Sequence, residues 1–307
     1  MGREFDPATL SKELNVKINR IQAIGNHELG RNLVYQIDTE EGEMVLKIFF
    51  KDNRRCREIA SLGLLNNLDI SIPKLIRYGD MSDGTKWSLK TLLKGKPLSS
   101  EKESISQEDM NGIMISLGED LGKIHGSNEL DFYGNWDAQA RSIEGFKSYR
   151  KRHESILLCI REDIKTKDIP DRNLMLEGIE KLFRDIKLLD KVKKSNITHN
   201  DFNYRNILVN NENGKWIYSG LIDFEQCLAD FKDRDLVMFD YLYLNRNEKL
   251  KEKFYEGYQK YSKKSDFYDD FYRYHLLYLG VYICSWSYNV AREYYEKGRD
   301  LVDLLVE

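Results

Sequence analysis

The chain has 307 residues, 41% of them apolar, enough for two modest domains or two lobes sharing a cleft. Its 48 Lys and Arg nearly cancel its 51 Asp and Glu, leaving a formal charge of −3, so no global field draws it to nucleic acid or an anionic membrane. Met1-Gly2-Arg3-Glu4-Phe5-Asp6 carries neither an apolar signal core nor the Ser or Thr of a myristoylation signal. The longest apolar run, 276–284, falls far short of the roughly 20 residues that span a bilayer, and a cytoplasmic protein is expected. Cys56, Cys159, Cys227 and Cys284 are too scattered for a zinc or redox motif and are expected to be reduced and mostly buried.

Along the chain, 18–25, 32–38 and 44–50 are short, β-rich and separated by turn residues such as Glu41-Gly42. A helix is expected over 52–68, where Ile59, Leu62 and Leu65 recur at helical spacing before Ile70-Ser71-Ile72-Pro73 forces extended chain. Strands follow near 75–79 and 86–92. After Lys94-Gly95-Lys96-Pro97 the periodicity turns mainly helical, over 107–125, 139–165, 171–191 and much of 231 to the end. The expected division is a small β-rich lobe over 1–93 and a larger α-rich lobe over 94–307.

One stretch of the second lobe is different. Short strands at 197–198, 207–209 and 215–222 are separated by Asn- and Gly-rich turns, and the densest polar cluster falls among them. In His199-Asn200-Asp201-Phe202-Asn203-Tyr204-Arg205-Asn206, an Asp and an Asn precede the apolar Ile207-Leu208-Val209, and Asp223 ends the run Gly220-Leu221-Ile222. Phosphoryl transfer asks little covalent chemistry of a protein; it needs a positioned hydroxyl and a metal that neutralises the phosphates. Asp223 and the Asn206 side-chain carbonyl are oxygen ligands suited to Mg²⁺, which leaves Asp201 to orient and deprotonate an attacking hydroxyl. His199 is expected to support the loop rather than move a proton.

A nucleotide needs a counterpart across the cleft. Lys47 interrupts the apolar strand Val45-Leu46-Lys47-Ile48-Phe49, and a buried ammonium demands a partner, for which Glu58 in the next helix is the natural candidate. The segment 25–32, Gly25-Asn26-His27-Glu28-Leu29-Gly30-Arg31-Asn32, has no P-loop pattern and reads as a turn between strands that covers phosphates.

These residues resemble the aminoglycoside phosphotransferase and choline kinase family of the kinase-like superfamily, over nearly the whole chain. The motifs that carry the resemblance are His199 to Asp201 with Asn206, then Leu221-Ile222-Asp223-Phe224-Glu225, then Asp233-Arg234-Asp235-Leu236; the helix from Gly118 to His125 agrees more loosely. The resemblance implies an α+β, bilobal protein-kinase-like fold with Asp201 as base and Asn206 and Asp223 holding Mg²⁺. It further implies that Lys47 and Glu58 fix the triphosphate of ATP or GTP, and that a hinge including Thr91 and Leu92 receives the base. The expected acceptor is an aminoglycoside-like cation held by acidic neighbours at Glu225, Asp230 and Asp233, with Asp269, Asp270 and Glu293 on later helices. The alternatives are a small sugar, or choline or ethanolamine in a cage of Tyr241, Tyr243, Trp286 and Tyr288. A catalytically silent binding module would lack one of Lys47, Asp201, Asn206 and Asp223, and all are present. A protein kinase would carry an Ala-Pro-Glu-like anchor after Asp223, and none is visible.

Overall fold

The computed structural model describes residues 5–25, 32–127 and 129–306. Of the segment expected to cover phosphates, residues 26–31 lie outside the described residues. The chain opens with α1 (Pro7–Leu14), which the periodicity did not suggest. Its start signal is nonetheless present: Asp6 caps the helix by accepting from the Thr9 N–H at 2.9 Å, and Pro7 occupies the first turn.

Five antiparallel strands follow: β1 (Ile18–Ile24), β2 (Leu33–Thr39), β3 (Gly42–Phe49), β4 (Leu75–Asp80) and β5 (Lys86–Thr91), in the sheet order β1-β2-β3-β5-β4. Alternation decides which side chains enter the core. Leu46 pairs with Leu89, and both join Ile37, Ile48, Trp87 and, from α1, Leu10 and Leu14 in a small hydrophobic core. Lys47, opposite Ser88, and Lys90, opposite Val45, therefore lie on the other face. Helix α2 (Asp52–Leu65) covers that face, but Ala60, Leu62 and Leu65 pack into the larger C-terminal core rather than the sheet's own.

The rest of the chain is helical around a few short strands. A two-residue strand β6 (Lys96–Pro97) and the short helix α3 (Leu98–Glu101) lead to α4 (Gln107–Ser127) and β7 (Glu129–Leu130). Helix α5 runs over Tyr149–Thr166, ten residues shorter at its start than the expected 139–165. Ser148 caps it by accepting from the Lys151 N–H at 3.3 Å, and the preceding stretch forms isolated bridges Tyr133↔Phe146 and Trp136↔Ser142 instead. Helix α6 (Arg172–Asp185) tightens into a 3₁₀ segment, Ile186–Lys191. Strands β8 (Ser195–Thr198), β9 (Ile207–Glu212), β10 (Lys215–Leu221) and β11 (Leu228–Asp230) carry the polar cluster. Four helices complete the chain: α7 (Asp233–Phe239), which runs into a π-helical turn at Asp240–Leu244, α8 (Glu248–Tyr258), α9 (Tyr268–Ser287) and α10 (Arg292–Val306). Cys227 and Cys284 are buried as expected, whereas Cys159 is exposed. Among the described residues, no helix is long and apolar enough to cross a membrane.

Helices α4 and α8 approach closely because glycines face the crossing. A Cβ on Gly118 would fall on the Phe254 carbonyl oxygen, and one on Gly122 would lie 2.7 Å from the Tyr258 carbonyl oxygen. The Gly118→Ala variant is expected to lose about 1–3 kcal/mol by forcing these backbones apart, a shift that thermal or urea unfolding would read directly. An unchanged midpoint would refute the packing argument.

Candidate active site

The site is built on the hairpin β9–β10, which Asn213 and Gly214 close with φ values of 55° and 88°, the paired positive angles of a tight hairpin turn. Its register, Leu221 opposite Ile207, brings Asn206 and Ile222 together at the open end, where the Ile222 N–H donates to the Asn206 carbonyl at 2.9 Å. Asp223 follows in left-handed backbone, φ 68° and ψ 61°, a conformation Asp and Asn tolerate better than most residues. Asn206 and Asp223, 17 residues apart by number, thereby become neighbours.

Asp201 joins them through side-chain amides. Asn206 Nδ2 donates to Asp201 Oδ2 at 3.0 Å and to the Asp201 carbonyl at 2.8 Å; Asn203 Nδ2 donates to Asp201 Oδ1 at 2.7 Å and to the same carbonyl at 2.8 Å. Burial pushes the Asp201 carboxyl above its ordinary value, with nearby Asp223 adding to the effect, while His199, Asn206 and Arg205 pull it back. The result is a more basic carboxylate whose geometry is fixed.

Lys47 reaches across from β3. Its ammonium lies 2.6 Å from Asp223 Oδ1 and 2.8 Å from Glu225 Oε2, closer than the 3.4 Å to Glu58 Oε2. The expected Lys47–Glu58 pair is therefore the longest of three contacts. Glu58 Oε1 instead bonds Lys90, a second buried lysine on the same sheet face. Burial alone would discharge Lys47, but Asp223, Glu58 and Glu225 together hold its pKa above the usual lysine value. Burial also pushes Asp223 up, and Lys47 with Lys90 more than reverses this, setting its carboxyl at about 2.

The segment from His199 to Asp201 is held from behind by residues the sequence reading did not single out for roles. Asp235 Oδ2 accepts from the His199 N–H at 2.6 Å, and Oδ1 from the Asn200 N–H at 2.9 Å. His125 Nε2 lies 3.1 Å from the same Oδ2, and the Tyr258 hydroxyl 3.0 Å from His125 Nδ1, so the glycine-packed α4 and α8 both bear on this loop. His199 is fully buried: Nε2 donates to the Ile222 carbonyl at 3.0 Å, and Nδ1 accepts from the Asp201 N–H at 3.3 Å. Its ring thus ties the Asp201 turn to the strand end before Asp223.

Of the acidic rim expected from the sequence, Glu225, Asp230 and Asp233 are not at the surface, whereas Asp269, Asp270 and Glu293 are exposed. Asp230 is 0% exposed, with Oδ2 at 2.7 Å from Arg234 and 3.3 Å from Arg152; burial pushes its carboxyl up, but the two guanidinium groups hold it at about 2. Asp233, also 0% exposed, accepts from the Ser265 N–H at 3.0 Å and its hydroxyl at 2.5 Å, fastening the chain before α9 to the start of α7. Glu225 bonds Lys47, Arg54 at 2.8 Å, and Asn32. All three are buried, Glu225 and Asp230 against interior cations and Asp233 against Ser265.

At the end of β5, Thr91 is tied to Lys74: its N–H donates to the Lys74 carbonyl at 2.9 Å, and its hydroxyl accepts from the Lys74 N–H at 2.8 Å. Leu92 comes next, beyond the last sheet pair. A separate hollow of about 710 Å³, lined by Lys181, Leu182, Arg273, Tyr274 and Leu304 among others, lies among α6, α9 and α10 and shares no residue with this cluster.

Among the described residues, no three His, Cys, Asp or Glu side chains form a ready metal cage. The donors at the hairpin end nevertheless suit magnesium. Asn206 turns its Nδ2 to Asp201, which leaves Oδ1 as an oxygen donor, and among the described residues only Lys47 bonds the Asp223 carboxylate. Two protein oxygens suit a cation that keeps its remaining positions for phosphate oxygens and water.

A five-stranded antiparallel sheet facing a helical lobe across this cluster defines the bilobal, protein-kinase-like fold. Residues 26–271 match the sequence profile of the phosphotransferase enzyme family, and the chain belongs to that family. Solved structures agree on the fold. Aminoglycoside phosphotransferase APH(4)-Ia superposes with a TM-score of 0.73 at 11% identity, over 97% of this chain and 96% of that one. APH(2″)-IIa, in its gentamicin complex, gives 0.66 at 19% identity over 98% and 97%. A candidate fructosamine-3-kinase from Haemophilus somnus 129PT gives 0.64 at 17% identity over 98% and 96%. No curated protein matches this chain at a significant level of sequence similarity.

Proposed function

We propose that this phosphotransferase moves the γ-phosphate of ATP or GTP to a hydroxyl of a small acceptor, with Asp201 as base. The observation that carries this reading is the three-way junction of Asp201, Asn206 and Asp223, with Lys47 facing it from the sheet. Asp201, fixed by two amides, accepts a hydrogen bond from the acceptor hydroxyl, aligns its oxygen with the phosphorus and takes its proton as the new bond forms. Lys47 moves its ammonium from Asp223 to the phosphates, with Glu58 and Lys90 setting its position, and Leu92 together with Thr91 borders the base. Magnesium held by Asp223 and the Asn206 carbonyl would supply neutralisation of phosphate charge.

The fold neighbours support a nucleotide donor: one structure of APH(4)-Ia is a ternary complex with AMP-PNP and hygromycin B, and one of aminoglycoside 2′-phosphotransferase-IIIa holds GDP. An aminoglycoside acceptor, and with it a role in antibiotic resistance, rests on those neighbours alone, because Asp230 and Asp233 are interior. The test is incubation with Mg²⁺, ATP or GTP, and a panel of aminoglycosides, choline and sugars, read by a phosphate mass gain. Transfer that needs Mg²⁺ is expected; absence of both transfer and nucleotide hydrolysis would revive a silent binding module.

A further inference from the structure

Beside Asp201 stand an exposed guanidinium and a stacked pair of tyrosines. Arg205 is 65% exposed at its side chain; its Nη2 lies 4.0 Å from Asp201 Oδ1, while its own N–H and its Nε donate to Asn203 Oδ1 at 2.9 and 3.3 Å. A guanidinium is thus held beside the proposed base with its outer edge free for a guest. Tyr243 stacks on Tyr204 of the same loop with ring centroids 3.8 Å apart, and its hydroxyl accepts from the Tyr204 N–H at 3.3 Å. That leaves the hydroxyl proton to be donated.

Two further exposed aromatic side chains stand at the end of α9 and the start of α10. Tyr294 is 50% exposed and Trp286 40% exposed, with their ring centroids 6.2 Å apart. Of the acids on the neighbouring elements, Glu293 forms an exposed pair with Lys297 at 2.6 Å, and buried Asp240 accepts from the Tyr255 and Tyr268 hydroxyls at 3.0 and 2.8 Å. The cage expected for a quaternary amine does not assemble. Tyr204 covers one face of Tyr243, and the Arg292 guanidinium lies 4.5 Å from the centre of the Tyr288 ring.

We propose that the acceptor is a hydroxylated ring molecule without net positive charge, read by Arg205 and Tyr243 beside Asp201. This rests on Asp201 being the base. Aromatic faces pack against the C–H face of a sugar-like or aromatic ring, the Tyr243 hydroxyl donates to a ring substituent, and Arg205 repels amines while attracting carboxylate or hydroxyl oxygens.

The experiment is steady-state kinetics of the full chain with Mg²⁺ and ATP or GTP. The acceptors are uncharged rings (glucose, myo-inositol), an acidic one (glucuronic acid), an aromatic glycoside (salicin) and polycationic aminoglycosides. The wild type is expected to favour the first three groups. Tyr243→Phe should raise the acceptor KM about tenfold with the nucleotide KM within twofold, and Arg205→Glu should shift the preference at least tenfold toward aminoglycosides. Aminoglycosides as the best wild-type acceptors, nucleotide hydrolysis with no transfer to any uncharged or acidic ring, or an Arg205→Glu effect confined to the nucleotide KM would each overturn this acceptor class. Because hydrolysis is followed separately, each of those results leaves the kinase reading intact; loss of both hydrolysis and transfer removes the two together.

Discussion

Asp201→Ala is expected to lower kcat by about 10²- to 10⁴-fold, the range for removing a positioned general base, while the protein stays folded. The second half of that expectation follows from the loop. Asn203 and Asn206 each donate to the Asp201 backbone carbonyl as well as to its carboxylate, so truncation leaves both amides an acceptor. Asp201→Asn is the poorer probe, since its amide would set a donor against the donors of Asn203 and Asn206. Single-turnover transfer, with thermal melting as the fold control, distinguishes the roles; full activity in the alanine variant would remove Asp201 from the chemistry. The pH profile adds a sign. A base must be ionised, and burial raises this carboxyl, so activity should fall on the acid side from a pH above the ordinary Asp value of about 3.9.

Asp235→Ala is expected to cost about 3–5 kcal/mol of stability and most of the activity as well. One buried carboxylate serves the His199 and Asn200 N–H groups and His125, and its loss strands all three in the interior. Urea unfolding would read the cost, and a loss below about 1 kcal/mol would show that the loop finds other partners. Asp235→Asn, which keeps one acceptor oxygen, should be milder. Burial pushes the Asp235 carboxyl up, but the His125 bond, the neighbouring His125 and His199 rings, and the His199 N–H bring it below the ordinary value. Its contribution is therefore present above the unfolded-state pKa and disappears as the pH falls through the lowered folded value.

Much of the sheet was legible because its strands are short and β-rich, β2 alternates cleanly, and Gly42 and Gly84 mark turns. Leu46 and Leu89 enter the sheet core while Lys47 faces away, as period two requires. Helix α5 was misread at its start because 139–148 has helix-compatible residues that instead bridge back to Trp136 and Tyr133 just upstream. Strands of two or three residues, β6, β7 and β11, exist through pairing alone and leave no local periodicity.

The site was legible where one residue type stands out against an apolar background, as with Lys47 and Asp223. By the same signal Lys90, in Trp87-Ser88-Leu89-Lys90, could have been found. Asp235 and Asp233 occupy one short acidic run and differ only in what lies behind them. Ser265 meets Asp233, whereas the backbone of the His199 turn meets Asp235, and no spacing rule distinguishes the two. Asp230 was misplaced for a related reason: its cations, Arg152 and Arg234, come from two different helices.

Helix α2 belongs to the sheet by chain order and to the helical lobe by attachment. Arg57 Nε donates to the Glu225 carbonyl at 2.7 Å, its Nη1 donates to Asn135 Oδ1 at 2.9 Å, and the Trp136 indole donates to the Arg57 carbonyl at 3.3 Å. With Ala60, Leu62 and Leu65 sunk in the larger core and Arg55 Nη1 donating to the Gly79 carbonyl of β4 at 3.0 Å, the helix rivets sheet and helical lobe together. Glu58, bonded to Lys90 and 3.4 Å from Lys47, thereby ties the placement of the sheet's two buried ammonium groups to the helical lobe.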